Sequence, residues 1–296
     1  MDVFTAEPFG GNPLAIVENA DGLTTLQMQT IAREFNLSET IFIQTPDDPA
    51  HSAKVRIFFP TDEIPFAGHP TIGCAIHLAM KQFAGKNDFE TAIILEEVAG
   101  LVPVSVRQVG GAISAQFTAP VVPRPHKGNA PSAELAAAAL GLDKADIGFG
   151  GHSPGVHIGG PAFLYIPVAS LDVLGRAGPR EPRWSEMLAM ANVDSAYLYT
   201  PGSDVTDYQA RMFSPTAGIP EDPATGSATA ILAAQLLGCG ALGEGTSRVS
   251  LLQGVEMGRR SELGLEIDVV GKAISAVRVS GSAVAIGSGT IRIPAE

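Results

Sequence analysis

Apolar residues recur at helical spacing in a segment near the start of the chain. They are Met28, Ile31, Ala32 and Phe35, which follow the steps of three and four residues that define one face of a helix. A threonine just before them, Thr24 or Thr25, can accept a hydrogen bond from the first turn and cap the helix. The pattern predicts a helix over residues 25–36.

Shorter apolar runs make up most of the remaining pattern. The chain contains 33 glycines and 22 prolines, which mark many turns and therefore many short strands. The predicted strands include residues 14–17, 40–44, 55–59, 92–96, 102–106, 112–117, 161–168, 195–199, 249–253 and 263–270. Further helices are predicted at residues 71–82 and 132–140 and from residue 228 onward, so we expect the α+β class.

One stretch occurs twice, each time leading into an apolar helix. Residues 56–65 and 211–220 are identical at six of ten aligned positions. The second copy then carries a short insertion, Glu221-Asp222-Pro223. A repeat of this length indicates a duplicated unit and not a solenoid. We therefore expect two similar halves, each an antiparallel sheet curled around one helix.

The boundary between the halves is predicted at a proline-rich segment. Residues 118–131 contain four prolines, which favour an extended linker. The expected domains are residues 1–118, joined by a C-terminal strand at about 285–296, and residues 119–284.

Composition argues against several classes of function. Hydrophobic residues make up 45% of the chain and charged residues 17%, as in globular proteins, and a net charge of −12 argues against nucleic-acid binding. The most apolar helix, residues 228–242, is interrupted by a glutamine and two glycines and falls short of a membrane span. Two cysteines and an N-terminus without a signal-peptide pattern lead us to expect a cytoplasmic protein.

Glu39 stands between the first helix and an apolar strand, beside Ile41 and Phe42. One interpretation is a helix-end carboxylate that faces water or forms an ion pair. The other is a proton carrier, because apolar surroundings disfavour the charged form and suit a carboxyl group to acid/base catalysis.

His69 and Asp222 each have two interpretations as well. His69 follows Gly68 at a helix opening, where a lone histidine is either structural or a group that binds substrate and exchanges protons. Its place opposite Ser227 in the repeat favours function. Asp222 lies in the insertion that is unique to the second copy, and it is either a helix cap or a functional carboxylate.

The two helix openings themselves predict an anion site. Gly68 and Gly226 allow close approach to the backbone, and Ser227 adds a hydroxyl in the first turn. Helix N-termini have unpaired N–H groups and a partial positive charge, so they bind carboxylates and phosphates. If the halves pack face to face, both openings can face one cleft that holds a small carboxylated substrate.

Other chemistries have little support in the sequence. Cys74 lies within an apolar helix, where a thiol is usually buried and inert, and Cys239 follows the end of another helix. The histidines show no metal-ligand spacing, and neither a phosphate-loop nor a dinucleotide-binding pattern occurs. We expect no metal and no organic cofactor.

Several motifs, in order along nearly the whole chain, resemble those of a known family. They include Asn36-Leu-Ser-Glu-Thr40, Phe66-Ala-Gly-His-Pro-Thr71 and segments at residues 2–17, 218–227 and 253–259. The sequence resembles the PhzF family of phenazine-biosynthesis proteins. This resemblance implies a diaminopimelate-epimerase-like fold of two pseudo-symmetric domains, each a mainly antiparallel, barrel-like sheet around a central helix. It also implies a homodimer and a site in the cleft between the domains.

The resemblance also implies roles for individual residues. Glu39 matches the catalytic acid/base of the family, and His69, Asp222 and Ser227 match its substrate-contacting and proton-handling residues. Gly68 and Gly226 match the backbone positions at the two helix openings.

Two departures bear on these roles. Related epimerases and racemases use a cysteine at each helix opening, whereas Ala67 and Thr225 stand in those places here, so racemisation by two thiols is not expected. Arg260 stands where a proline is usual in the family.

The expected function is that of a cofactor-independent isomerase. Glu39 would move a proton within a small carboxylated substrate, for example a cyclic one similar to dihydro-hydroxyanthranilate. One alternative is an epimerase or racemase, which needs a second base such as Asp222 or His69. Another is a catalytically idle protein that only binds a small molecule.

Overall fold

The computed structural model describes residues 1–203 and 205–295. The chain folds into two compact units. The first unit comprises Met1–Pro120 together with the chain from Ser280 onward, and the second comprises Val121–Val279.

Short strands outnumber helices in both units. The strands are β1 (Asp2–Val3), β2 (Asn12–Val17), β3 (Glu39–Gln44), β4 (Ala53–Phe58), β5 (Glu63–Ile64), β6 (Phe89–Glu97), β7 (Gly100–Val109), β8 (Ala112–Thr118), β9 (Arg124–Pro125), β10 (Gly155–Ile158), β11 (Ala162–Pro167), β12 (Ala196–Pro201), β13 (Tyr208–Ser214), β14 (Ile219–Asp222), β15 (Gly245–Gln253), β16 (Ser261–Val270), β17 (Ala273–Gly281) and β18 (Ala283–Val284). The α-helices are α1 (Thr25–Phe35), α2 (Gly68–Gln82), α3 (Ala133–Leu140), α4 (Leu171–Arg176), α5 (Arg183–Ala191) and α6 (Gly226–Gly238).

The sheet of the first unit is mainly antiparallel. β6, β7 and β8 form a meander, β3 pairs with β4, and β1 pairs with β2 and β18, all antiparallel. The pairs β2–β3 and β4–β6 are parallel. Helix α2 contacts β1, β2, β3, β6, β7 and β8, because it buries apolar residues on most of its circumference. The prediction of a sheet around a central helix is confirmed in this unit.

The second unit repeats this plan with different pairings. β10 and β11 are antiparallel, β11 and β12 are parallel, and β13 pairs antiparallel with β12 and β14 and parallel with β15. Helix α6 is buried on most of its circumference and contacts β9, β10, β11 and β16. Helices α3, α4 and α5 cover a separate apolar cluster that includes Trp184 and Phe213. The second unit is therefore also a sheet with a buried helix.

The duplicated stretch forms an equivalent hairpin in each unit. In the first, Arg56 of β4 forms two hydrogen bonds with Glu63 of β5, at 2.7 and 2.6 Å. In the second, Arg211 of β13 does the same with Glu221 of β14, at 2.7 and 2.8 Å. Each guanidinium also lies over the ring of the phenylalanine two residues later, at 5.2 and 4.7 Å. The shared arginine and phenylalanine of the repeat thus hold the hairpins together.

The C-terminal strand that joins the first unit is β18, at Ala283–Val284, and not the segment predicted at about residues 285–296. The last strand ends at Val284, residues 285–295 have no regular secondary structure, and Glu296 lies outside the described residues. The isoleucines of this segment, Ile286, Ile291 and Ile293, are 46%, 39% and 67% exposed. A strand pattern is stabilised by burying one face, and here neither face is buried.

Candidate active site

Glu39 is the first residue of β3, and a well-defined turn leads the chain to it. Helix α1 begins with a capping box between Thr24 and Gln27 and ends at Asn36, whose φ of 50° lies in the left-handed region. β3 then starts with Glu39 paired in parallel with Leu14 of β2. A strand therefore fixes the position of this carboxyl group, and only 9% of the residue is exposed.

His69 lies in the first turn of α2, against Glu39. Its Nδ1 atom is 2.8 Å from Oε2 of Glu39, and its side chain is 2% exposed. The other ring nitrogen, Nε2, is buried and has no hydrogen-bond partner among the described residues. A proton between Nδ1 and Oε2 can belong to either group, so the pair can accept or release a proton and keep its hydrogen bond.

The N-terminus of α2 has no side-chain cap. Its N-cap residue is Ala67, and Gly68 is the first helical residue. Helices α1, α3 and α4, in contrast, are each capped by a threonine or serine hydroxyl. The first-turn N–H groups of α2 thus lack a side-chain acceptor at the N-cap, an arrangement that suits anion binding.

Asp222 ends β14 and belongs to a buried cluster with Thr225 and Gln253. Oγ1 of Thr225 donates to Oδ2 of Asp222 at 2.5 Å. Nε2 of Gln253 donates to Oγ1 of Thr225 at 3.0 Å and to the carbonyl oxygen of Asp222 at 2.8 Å. The proton of the Thr225 hydroxyl is therefore directed at Asp222, whose carboxyl group acts as an acceptor.

Helix α6 also begins without a side-chain cap. Thr225 is its N-cap residue, but the hydroxyl donates to Asp222 and accepts nothing from the helix backbone. Gly226 is the first helical residue, and the half-buried Ser227 follows it. The first turns of α2 and α6 thus share an uncapped backbone and a leading glycine.

The predicted site residues form two local groups, one in each unit. Glu39, Gly68 and His69 belong to the first unit, and Asp222, Gly226 and Ser227 belong to the second. Within each unit the predicted residues surround the first turn of the central helix.

Glu97 is a buried carboxyl group that the sequence interpretation missed. It ends β6, and burial raises its pKa to about 8. The alternation of inward and outward positions along β6 could have identified it, because Ile93 and Leu95 face inward and Glu97 occupies the next inward position. Gln253 was missed as well, although it opens one of the motifs that carry the family resemblance.

Other candidate chemistries find little support in the described part of the chain. Burial raises the pKa of the Cys74 thiol well above its ordinary value, so the reactive thiolate is not available near neutral pH. The described residues contain no group of three or more histidine, cysteine, aspartate or glutamate side chains that could hold a metal ion. No helix among them has both the length and the apolar character needed to cross a membrane.

Known proteins of one family are similar to this chain over nearly its whole length. A family model described as phenazine biosynthesis-like protein, PhzC-PhzF, matches residues 1–289. An uncharacterized isomerase of Mesorhizobium japonicum is 40% identical over 99% of this chain and 97% of that protein. The trans-2,3-dihydro-3-hydroxyanthranilate isomerase of Pseudomonas fluorescens is 34% identical over 98% and 97% of the two chains. The crystal structure of a PhzF-family phenazine biosynthesis protein of Bacillus anthracis has a TM-score of 0.82 and 24% identity, over 95% and 93% of the two chains.

Proposed function

Because the chain belongs to the phenazine biosynthesis-like PhzC-PhzF family, we propose that it is a cofactor-independent isomerase in which Glu39 moves a proton within a small carboxylated substrate. The isomerase class has direct support, since relatives at 40% and 34% identity are named as isomerases. The finer assignment of substrate and residues is our proposal.

The observation that carries this proposal is the buried contact between Glu39 and His69. A helix-end carboxylate with a structural role would face water or pair with a lysine or arginine. Glu39 instead has a histidine at 2.8 Å, and both side chains are almost fully buried. Two titratable groups that share a proton away from water are suited to general acid/base catalysis.

The proposed step is a balanced proton shift. Glu39, as a carboxylate, removes a proton from a carbon next to an unsaturated system. The electron pair of that C–H bond forms a new double bond to the neighbouring carbon, and the π electron pair of the existing double bond is displaced to the carbon at its far end. Glu39, now protonated, donates the proton to the carbon where the displaced electron pair arrives, so the substrate and product are isomers.

The remaining site residues are assigned to binding. His69 orients the carboxyl group of Glu39 and shares its proton. Asp222 and Ser227 are assigned to contacts with polar groups of a substrate, and the uncapped amides at Gly68 or at Gly226 are assigned to binding a carboxylate. Support for a cyclic, dihydro-hydroxyanthranilate-like substrate comes from the relative whose name specifies that compound.

A substrate panel in deuterated water tests the proposal. Unsaturated cyclic acids and amino acids are incubated with the protein, and NMR follows deuterium uptake at each carbon. Uptake at one carbon together with a double-bond shift supports the isomerase. Inversion at a stereocentre instead indicates an epimerase, and ligand protection against unfolding without exchange indicates a binding protein.

We also propose that the protein is a homodimer, as the family resemblance implies, and that it resides in the reducing cytoplasm, because its two cysteines are too few for a disulfide framework. Light scattering at micromolar concentration should give twice the chain mass of 30.6 kDa. A monomer mass would refute the dimer without affecting the proposed reaction.

A further inference from the structure

The hydroxyl group of Thr71 contacts two oxygens and has one proton to share between them. Its Oγ1 atom is 2.7 Å from the carbonyl oxygen of Ala67 and 2.7 Å from Oε1 of Glu97. A carbonyl oxygen can only accept, and so can a carboxylate. If Glu97 were ionised, one of these short contacts would join two oxygens without a proton between them. If Glu97 is protonated, it donates to Thr71, Thr71 donates to Ala67, and both contacts are hydrogen bonds.

The surroundings of Glu97 agree with this count of protons. Its second oxygen, Oε2, is buried and has no hydrogen-bond partner among the described residues. Burial raises the pKa of this carboxyl group to about 8, although the contact with Thr71 acts in the opposite direction. The titratable neighbour on α2 is Cys74, a buried thiol whose own pKa is raised. The adjacent Glu96 differs, since the backbone N–H groups of Asp47 and Asp48 and the ring of His51 lower its pKa to about 2.

Protonated Glu97 is connected to the proposed proton carriers through the start of α2. Ala67 is the N-cap residue of that helix, and its carbonyl oxygen receives the Thr71 hydroxyl. The next two residues are Gly68 and His69, whose ring contacts Glu39. The hairpin that carries Glu97 also binds this segment directly, because the N–H of Ala99 donates to the carbonyl oxygen of Pro65 at 3.0 Å.

We propose that Glu97 is a positioning residue that works as a neutral acid: its proton completes the chain Glu97–Thr71–Ala67 and thereby fixes His69 against Glu39. The effect on turnover rests on the proposed function. The protonation of Glu97 and its effect on His69 do not, so they can be measured without substrate.

Two variants of Glu97 separate a hydrogen-bond donor from a charge. Glu97→Gln has an amide that can donate to Thr71 but cannot ionise, whereas Glu97→Leu has no donor. Glu96→Gln is the matched control, because it makes the same chemical change at the adjacent residue, whose carboxyl group binds the loop at Asp47 and not α2.

The first measurement is NMR of the full chain without substrate. With carbon-13 in the glutamate carboxyl groups, the signal that disappears in Glu97→Gln is that of Glu97. Its chemical shift should be that of a protonated carboxyl group at neutral pH and should change as the group titrates near pH 8. The ring-nitrogen signals of His69 should be unchanged in Glu97→Gln and Glu96→Gln and shifted in Glu97→Leu. A Glu97 signal that titrates near the ordinary glutamate value, or His69 signals unchanged in Glu97→Leu, would overturn the proposal.

The second measurement is the pH profile of kcat on a substrate that the panel identifies. The parent should lose activity as Glu97 ionises near pH 8, and Glu97→Gln should lack that loss. Glu97→Leu should have a kcat about tenfold or more below that of Glu97→Gln at every pH, with little change in KM, because His69 and Glu39 are displaced. Equal kcat values for the Gln and Leu variants would contradict the positioning role. If the parent turns over no substrate, the proposed function fails, and the NMR result still decides the inference about Glu97.

Discussion

Helices α2 and α6 begin in the same way, yet their first turns carry different chemistry. Each starts with a glycine after an N-cap residue whose side chain leaves the helix uncapped. In α2 the glycine precedes His69, which is hydrogen-bonded to Glu39. In α6 it precedes Ser227 and follows Thr225, which is bonded to Asp222. The first opening therefore has two titratable side chains in contact with each other, whereas at the second the carboxyl group of Asp222 contacts a hydroxyl group, so the two openings are suited to different tasks.

The difference extends one turn further along each helix. Thr71 of α2 is bonded to the buried acid Glu97, whereas the aligned Thr229 of α6 has no acidic partner among the described residues. The residues that the two copies of the repeat share stabilise the hairpins. In each copy an arginine, Arg56 or Arg211, lies over the ring of the phenylalanine two residues later. The duplicated halves thus keep the arginine and phenylalanine of the hairpin and differ in the titratable side chains near the first turn of the central helix.

Substitution of the residue after each glycine should show the greatest difference between the two helix openings. His69→Ala should lower kcat by about 100-fold or more, because it removes the ring that orients Glu39 and shares its proton. Ser227→Ala removes one neutral hydroxyl and should raise KM by less than about tenfold with kcat retained. Steady-state kinetics measures both parameters. His69→Gln is the control, since its amide can hydrogen-bond to Glu39 but cannot exchange a proton, so its kcat should fall between those of the parent and the alanine variant. Parental kcat in His69→Ala would show that the two openings do not differ in this way.

Replacing each of the two hairpin arginines should lower the free energy of unfolding by a different amount. Arg211 is the more buried, with 10% of its side chain exposed against 21% for Arg56, and its Nη1 also donates to the carbonyl oxygens of Leu174 and Ala177. Arg211→Met should therefore lower the free energy of unfolding by about 3 kcal/mol, since it leaves the half-buried carboxylate of Glu221 without its counter-charge. Arg56→Met should lower it by about 1 kcal/mol. Urea unfolding measures both values, and equal losses would contradict the ranking.

Glu97 should make the free energy of unfolding depend on pH. The change for each pH unit should be smaller than the loss expected for Arg211→Met. The native state keeps the Glu97 proton up to about pH 8, whereas the unfolded chain loses it near the ordinary value of 4.5. Unfolding therefore releases a proton between these values, and the free energy of unfolding falls by up to about 1.4 kcal/mol for each pH unit of increase. This stabilisation is complete below about pH 4.5 and is lost as the pH rises through about 8.

The difference between the parent and Glu97→Gln isolates this contribution, because glutamine does not titrate. Urea unfolding of both proteins at several pH values should give a difference that shrinks as the pH rises toward 8. A difference independent of pH would mean that Glu97 is already ionised in the native state.

Local sequence patterns predicted the elements that depend on local physics. The capped helix α1, the central helices and the duplicated hairpins follow from spacing, capping and the repeat. A C-terminal strand was predicted at about residues 285–296, but a strand needs a partner and a face to bury, and residues 285–295 have neither a strand pairing nor a buried face. That information lies in the tertiary fold and not in the segment.

The site shows the same limit. The sequence indicated Glu39 and His69 separately, but their contact depends on the parallel pairing of β2 with β3 and on the packing of α2 against both strands. Glu97 was identifiable from alternation in β6, whereas its proton became apparent only from the two oxygens around Thr71. Side-chain chemistry at a single position could be predicted, and the coupling between positions required the structure.

Deuterium exchange catalysed by the Glu39→Gln variant shows whether Glu39 carries the proton. Glutamine nearly matches the shape of glutamate but cannot carry the proton, so the rate at which the substrate carbon exchanges its proton with solvent should fall by about 10²–10⁴-fold. The melting temperature and the dissociation constant for the substrate, measured on the same purified variant, should stay close to those of the parent. Exchange within a few-fold of the parental rate would contradict the account and leave Asp222 and His69 as the remaining candidates for the proton carrier.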